Sequence, residues 1–431
     1  MEPLVTALLF GIYNLLIIPL LVAGLHIVAM FNSRYREGLL GRYRWHRAVR
    51  NFCRKNPPAS GEIFLFHCAS LGEFEHIKPL LRHLKDADPH CKIVVMFFSP
   101  SGYRHAGECP AVDLFIYTPI DWWLPMYRLY RLLRPRALVI AKHDVWANQV
   151  WMARLMGIPC FLINATLYAS SGQLHPLMRF FQRAVYRRFT RILAISEADR
   201  ALLEKLAPGS RIAVVGDTKY DQVVQRSRES QRKKVLPEAV VAGRRVFVAG
   251  SIWPEDERQL IPALKTLREA FPDLCLILCP HEPTPEHIGH LRRQWEPQPV
   301  CCYSELTPNT APPVIIIDRV GILANLYAAA QAAYVGGGFK QNVHNILEPA
   351  VYGIPVFFGP VNANSREAQW LKERCPEAEV HDAGEIEARL RKVFTEERYR
   401  KELGNAARGL VYERAGATPR VAEEIRAALQ A

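Results

Sequence analysis

YVGGGFKQNVHNILEPAVYGIPVFFGP, residues 334–360, is the stretch from which the rest of the chain reads outward. An apolar run at 332–335 has the length of a buried strand. Gly336, Gly337 and Gly338 follow at once, and glycine permits both φ > 0 and close backbone approach to a ligand. His344, Asn345 and Glu348 come next, ahead of a helical apolar run. Pro349 suits the first helical position and pushes its predecessor out of the α region. The spacing therefore predicts a helix from about Pro349 with Glu348 at its mouth. Residues 354–358 read as the next buried strand, closing on Gly359-Pro360. Strand, glycine loop, helix mouth and strand make a βαβ unit whose loop can hold an anion. A carboxylate at that point suits the paired hydroxyls of a ribose, and a tight turn with Glu348 as helix cap needs the same spacing. The pattern is not GxGxxG, so a nicotinamide cofactor is poorly supported.

A chain of 431 residues has room for two domains, and 49% hydrophobic content can fill two cores. A formal net charge of +13 calls for an acidic partner: nucleic acid, an anionic membrane or a phosphorylated substrate. The ten cysteines are scattered without metal-ligand spacing, which reads as free thiols in a reducing compartment.

From 3 to 31 the only strongly polar side chains are Asn14 and His26. At ~1.5 Å per residue such a helix exceeds the ~30 Å hydrocarbon core. A signal peptide would want a basic start and a shorter apolar core; here Glu2 opens the chain. The preferred reading is an uncleaved anchor helix, kinked at Pro19 and dispensable for folding, with a helix lying flat in the interface as the alternative. Arg34, Arg36, Arg42, Arg44, Arg47, Arg50, Arg54 and Lys55 follow, opposed only by Glu37. By the positive-inside rule this end, and all that follows, faces the cytoplasm. Tyr35, Tyr43 and Trp45 among the cations suit anionic lipid head groups. RNA is disfavoured by the preceding apolar segment, and Pro57-Pro58-Ala59-Ser60 reads as a linker.

Strand-length apolar runs then recur at 63–68, 93–98, 114–117, 137–141, 160–164, 192–195 and 212–215, separated by helical patterns such as 77–84 and 146–156. After Gly216 the alternation restarts, with strands at 246–249, 274–278, 314–317, 332–335 and 356–358. Closing helices fall at 387–394 and 419–429. This predicts two α/β domains with doubly wound parallel sheets facing a cleft, ligands lying at the carboxyl ends of the strands.

Several residues stand where those ends should be. Ser70-x-x-Glu73 is either a capping box or places Glu73 as a general base at the cleft, and the spacing leaves both open. The helix N-terminus should keep Glu73 ionised at neutral pH without an apolar pocket. Ser251, after Gly250, offers a phosphate turn or an ordinary one. His281 sits in a loop rigidified by Pro280 and Pro283. Lys219 can reach an anionic substrate or stay a solvated linker residue. Arg179, Arg183, Arg187, Arg188 and Arg191, with phenylalanines between, read first as a solvated helix face and second as a phosphorylated-lipid contact.

Together these pieces resemble bacterial 3-deoxy-D-manno-octulosonic acid (Kdo) transferases, membrane-anchored GT-B enzymes that move Kdo from CMP-Kdo to the lipid A precursor. The resemblance covers nearly the whole length. Besides the anchor and its arginine block it rests on SLGE (70–73), FSPSG (98–102), DVW (144–146), NATL (164–167), GDTKYD (216–221), VGGG (335–338) and HNILE (344–348). It implies a GT-B fold of two Rossmann-like domains facing a cleft, preceded by a membrane anchor helix. Its parts are an anchor and basic segment at 1–56, an acceptor domain at 57–220 and a CMP-sugar domain at 221–431.

Carried over by the resemblance, Glu73 is the catalytic base, and Lys219, Ser251, His281, Gly336, Gly337, Gly338, Asn345 and Glu348 hold CMP-Kdo. Asp144, Arg179 and Arg183 face the lipid acceptor. The partners implied are donor, lipid acceptor and the anionic inner membrane at its cytoplasmic side, with no cofactor, no metal and no nucleic acid. The family often carries two acids before the tryptophan and a proline after it. Here Lys142 replaces the first acid and Ala147 the proline, while Pro280-His281-Glu282 stands where many members have Pro-Arg-His. The rivals are another GT-B nucleotide-sugar transferase, an epimerase of the same fold, and a non-enzymatic protein that binds anionic lipid.

Overall fold

The structure, a computed structural model, describes residues 2–57, 62–107, 109–142, 144–168 and 171–430. Beyond Pro57, the expected linker lies outside the described residues. The chain divides into two compact units, 1–222 with 416–431, and 223–415.

The first unit is built on seven strands: β1 (Ile63–Cys68), β2 (Lys92–Phe97), β3 (Leu114–Tyr117), β4 (Ala137–Ala141), β5 (Cys160–Ala165), β6 (Arg191–Ala194) and β7 (Ile212–Val214). They lie in the order β3-β2-β1-β4-β5-β6-β7, every pair parallel. Successive side chains of a strand point to opposite faces, and each face has its own core. Leu65 packs with Val94, Met96 and Leu138. Phe64 and Phe66 pack on the other side with Ile93, Val95 and Val139. Burial on both faces is why these strands read as unbroken apolar runs.

The second unit holds β8 (Arg245–Ile252), β9 (Leu274–Pro280), β10 (Val300–Cys302), β11 (Val314–Ile316), β12 (Ala332–Val335) and β13 (Val356–Phe358). Their order is β10-β11-β9-β8-β12-β13, again all parallel. Strand β10 was not expected. Its three residues at the sheet edge, two of them cysteines, are too few to display a period. The helix after the glycine loop is a single turn, Leu347–Ala350, and so begins before Pro349 rather than at it. First-turn N–H groups have no intrahelical acceptor, so a proline there forfeits no bond.

The domain expected at 221–431 ends at Ala415. The last helix, Ala417–Gln430, returns to the first unit, where Val421, Ala422 and Ile425 complete the core around Phe66. Asp221 fastens the return: its carboxylate accepts the Gly416 and Thr418 N–H groups, the latter at 2.7 Å. Arg420 adds a bond to the Val215 carbonyl at 2.9 Å.

The N-terminal apolar helix, Leu4–Phe31, is long and apolar enough to cross a membrane by length and composition. Yet it lies against the first unit along its length. The Tyr13 hydroxyl donates to Asp121 at 2.7 Å, and Asn14 and Asn148 exchange bonds at 3.1 and 2.9 Å. Asn14 also accepts from the Trp123 N–H. Phe10 and Tyr13 pack on Trp151, and Thr6 meets Arg188. A π-type turn, Tyr13–Ile17, precedes Pro19, whose missing N–H already breaks the helical ladder. Tyr13 is 6% exposed and Asn14 2%, whereas Leu15 is 82% and Leu4 79%. One apolar stripe of the helix faces outward, and its length and composition still fit the anchor expected from sequence. Tyr13 and Ile18 belong to the unit's core.

The basic helix Ser33–Lys55 also differs from expectation. Arg44, Arg47, Arg50 and Arg54 line an open groove, but Arg42 turns inward and Arg36, though exposed, reaches back to the preceding helix. Arg36 donates to the carbonyls of Ala29 and Met30. Arg42, only 7% exposed, donates to those of Thr118 and Phe98.

Removing the Asp221 carboxylate leaves two backbone N–H groups without an acceptor. Asp221→Ala should destabilise the first unit by about 1–3 kcal/mol. Urea unfolding should show it, and amide exchange should quicken first in 416–430.

Candidate active site

Two clusters form, one in each unit, both at the carboxyl ends of parallel strands. In the first unit, Ser70 caps the helix Leu71–Ala87 by accepting from the Glu73 N–H at 3.3 Å. The Glu73 carboxylate reaches back to the Ala69 N–H at 2.6 Å. Its other oxygen accepts no hydrogen bond among the described residues. Glu73 is 6% exposed, and burial raises its pKa above the ordinary carboxylate value. The Ala69 N–H counters that, Asp144 adds to it, and Lys142 and His67 oppose it. The sequence reading expected no apolar pocket here, whereas burial is the largest influence on this carboxylate.

His67, at 0% exposure, links β1 to this group. Its Nε2 lies 3.1 Å from Asp144 and its Nδ1 3.1 Å from the Thr118 hydroxyl. Lys142 follows β4 with φ of 61°, a left-handed conformation that few side chains adopt. Because β1 and β4 are neighbours, Glu73, His67, Lys142 and Asp144 gather at one edge.

The second cluster surrounds the glycine loop. Asp256, fully buried in the first turn of the helix Pro254–Ala270, is its hub. One oxygen accepts from the Trp253 and Gly337 N–H groups, both at 2.8 Å, and the other from the Tyr334 hydroxyl at 2.8 Å. The glycines are required by protein backbone as much as by any ligand. A Cβ on Gly336 would lie 2.2 Å from the Ser251 carbonyl oxygen, and one on Gly338 2.4 Å from the Gly359 nitrogen. Ser251 itself has φ of 54°.

His281 stacks over both Trp253 and His344, with ring centroids 4.6 and 4.4 Å away. The Trp253 indole donates to His344 Nε2 at 2.9 Å, and burial lowers the His344 pKa. His344 is therefore neutral, with its proton on Nδ1. Asn345 accepts from the Leu347 N–H. Glu348 receives Arg226 at 3.2 Å, and burial raises its pKa against the effects of Arg226 and Asn345.

Residues 37–222 match the family described as 3-deoxy-D-manno-octulosonic-acid transferase (kdotransferase). The 3-deoxy-D-manno-octulosonic acid transferase of Haemophilus influenzae is 26% identical over 419 residues, 96% of each chain. That of Aquifex aeolicus is 25% identical over 76% of this chain and 85% of its own. The chain is similar to these Kdo transferases over nearly its whole length. It is a glycosyltransferase of the Kdo transferase type. Among solved structures, a UDP-GlcNAc 2-epimerase from Neisseria meningitidis superposes with a TM-score of 0.59 at 12% identity, over 84% of this chain and 99% of its own. Acinetobacter baumannii MurG gives 0.52 at 13% identity, over 85% of this chain and 99% of its own. At these identities the likeness is one of fold, the two parallel-sheet α/β domains of the GT-B class.

Of the residues singled out from sequence, Ser251, His281, Gly336, Gly337, Gly338, Asn345 and Glu348 all fall in the second unit: Ser251 near the end of β8, Glu348 in the single-turn helix and the others in loops. Lys219 lies in the first unit, 3.5 Å from Asp217 and over the Tyr220 ring. Asp144 joins Glu73 through His67. Arg183 lines a separate recess with Thr6, Phe180 and Arg188, and Arg179 is exposed on the same helix. His67, Asp256 and the Trp253–His344 pair went unread. A histidine inside the apolar run IFLFHC was the available signal for the first.

Asp256→Ala should release the glycine loop, at a cost of about 3 kcal/mol or more for three bonds lost. Hydrogen exchange at Gly337 should accelerate more than exchange in the centre of β9. Asp256→Asn, which keeps one acceptor oxygen, should fall between.

Proposed function

We propose that this protein transfers Kdo from CMP-Kdo to a hydroxyl of the acylated, phosphorylated lipid A precursor, at the cytoplasmic face of the inner membrane. The observation that carries the reading is Glu73. It is a buried carboxylate at a strand's carboxyl end, held by one backbone N–H with its second oxygen unengaged, and its pKa is raised towards the range a general base needs.

In this reading the acceptor hydroxyl gives its proton to Glu73 as its oxygen forms a bond to the ketosidic carbon. The bond from that carbon to the phosphate oxygen of CMP breaks, and CMP leaves as an anion. One displacement inverts the centre. His67 holds Asp144, and Asp144 with Lys142 sets the field at Glu73. On the donor side, Glu348 accepts from the ribose hydroxyls, displacing Arg226. The N–H groups at Ser251 and the glycine loop, with His281, offset the charge of the leaving phosphate. The exposed stripe of the N-terminal helix and the outward arginines of Ser33–Lys55 meet the membrane as apolar insert and head-group contact.

The test is Kdo transfer from CMP-Kdo to a tetraacylated lipid A precursor, read by mass spectrometry. Transfer from UDP-sugars but not from CMP-Kdo would overturn the reading. Glu73→Gln keeps an acceptor for the Ala69 N–H, so its melting midpoint should stay near wild type while turnover falls roughly 10²–10⁴-fold. The pH profile gives a second readout. A base acts only when deprotonated, so wild-type turnover should rise with pH through a pKa above the ordinary carboxylate value, and the Gln variant should lack that limb.

Glu348→Ala should weaken CMP-Kdo binding by roughly 10–100-fold, the scale of lost hydrogen bonds to a charged group. Acceptor binding should not change. Calorimetry with CMP-Kdo and vesicle binding of the lipid separate the two.

A further inference from the structure

The N-terminal helix and the unit beneath it enclose a narrow pocket of about 170 Å³. Val22 and Leu25 form one wall, and Phe98, Ile120 and Trp146 the other. The volume is below the ~300–1,000 Å³ usual for a whole small ligand. Its walls are almost wholly apolar, so a sugar there would leave its hydroxyls unpaired. The polar groups on its rim are already engaged: Arg42 by the Thr118 and Phe98 carbonyls, Asp121 by Tyr13 and the N–H groups of Asn148 and Gln149. One donor remains. The Trp146 Nε1–H is buried and finds no acceptor among the described residues.

The pocket joins two places of known character. Leu21 belongs both to its wall and to the exposed apolar stripe, at 52% exposure. At the other side Trp146, stacked on Phe98 at 5.1 Å, stands two residues from Asp144, the partner of His67. We propose that this pocket takes the first methylenes of one acyl chain of the acceptor lipid. The Trp146 ring, stacked on Phe98, then packs against the methylenes nearest the sugar. The inference rests on the lipid-acceptor reading above and adds to it a defined seat for the chain. A chain threaded from the stripe to Trp146 brings its sugar to the edge where Glu73 and Asp144 stand, without the lipid leaving the leaflet.

The test uses the full-length protein and two acceptors, the tetraacylated precursor in mixed micelles and the same phosphorylated disaccharide with its chains removed. Val22→Trp and Leu25→Trp narrow the pocket from the helix side. Both should raise KM for the acylated acceptor roughly tenfold, the effect of expelling about two methylenes, and leave kcat/KM for the deacylated acceptor at the wild-type value. Unchanged KM for the acylated acceptor in both variants, or equal losses on both acceptors, overturns the proposal. An acceptor carrying a diazirine on its first chain carbons gives the independent readout. Label on Trp146, Phe98 or the Val22–Leu25 turn is expected. Label confined to other segments overturns the pocket even where wild-type enzyme transfers Kdo. Absence of Kdo transfer by the wild type, with label still in the pocket, overturns the assigned reaction and leaves the chain seat standing.

Discussion

A buried carboxylate at the third position of the helix that leaves each sheet's first strand governs both halves of this protein. Glu73 follows β1, and Asp256 follows β8. Each sits where first-turn N–H groups lack helical partners and where the dipole favours an anion. Their surroundings then divide them. Asp256 accepts three hydrogen bonds and clamps the glycine loop to the end of β8. Glu73 accepts one side-chain bond, from Ala69, and keeps an oxygen open. The same local geometry thus gives a structural rivet in one unit and a group able to move a proton in the other. Capping and catalysis, alternatives when read from spacing, are not exclusive at Glu73: the cap fixes the carboxylate's position, and burial adjusts its proton affinity.

Most of the fold was legible because parallel strands buried on both faces leave unbroken apolar runs, and twelve of the thirteen strands announce themselves so. What was hidden lay in contacts distant in sequence. The fate of the last helix is decided by Asp221 accepting from Gly416 and Thr418, a pairing across almost 200 positions. Hydropathy counts Tyr13 and Asn14 as small defects in an anchor. Their roles appear only when Asp121 and Asn148 arrive from elsewhere in the chain. Burying those polar groups unpaired would be costly, so their partners fix where the helix lies.

The candidate site was legible to the extent that its residues lie in short contiguous motifs. SLGE and HNILE each carry cap and carboxylate within one helical turn. The motif that holds Lys219 borders the unit boundary. GDTKYD is explained by packing: Thr218 bonds Asn164 and the His76 carbonyl, and Asp221 holds the last helix. His67 was invisible because a lone histidine in a strand reads as core. Only the β1–β4 pairing brings it to Asp144.

The glycine loop carries the same lesson in reverse. Three consecutive glycines invite a reading in terms of ligand approach, yet each has protein backbone where a Cβ would stand. Close packing of β12 against the turn after β8 and the end of β13 therefore requires them first. That requirement is compatible with phosphate recognition and in part creates it. Gly336 donates its N–H to the Gly250 carbonyl and Gly337 to Asp256, so of the three only the Gly338 N–H has no protein acceptor among the described residues. An anion at this edge then meets backbone already fixed in place, so little ordering remains to be done on binding.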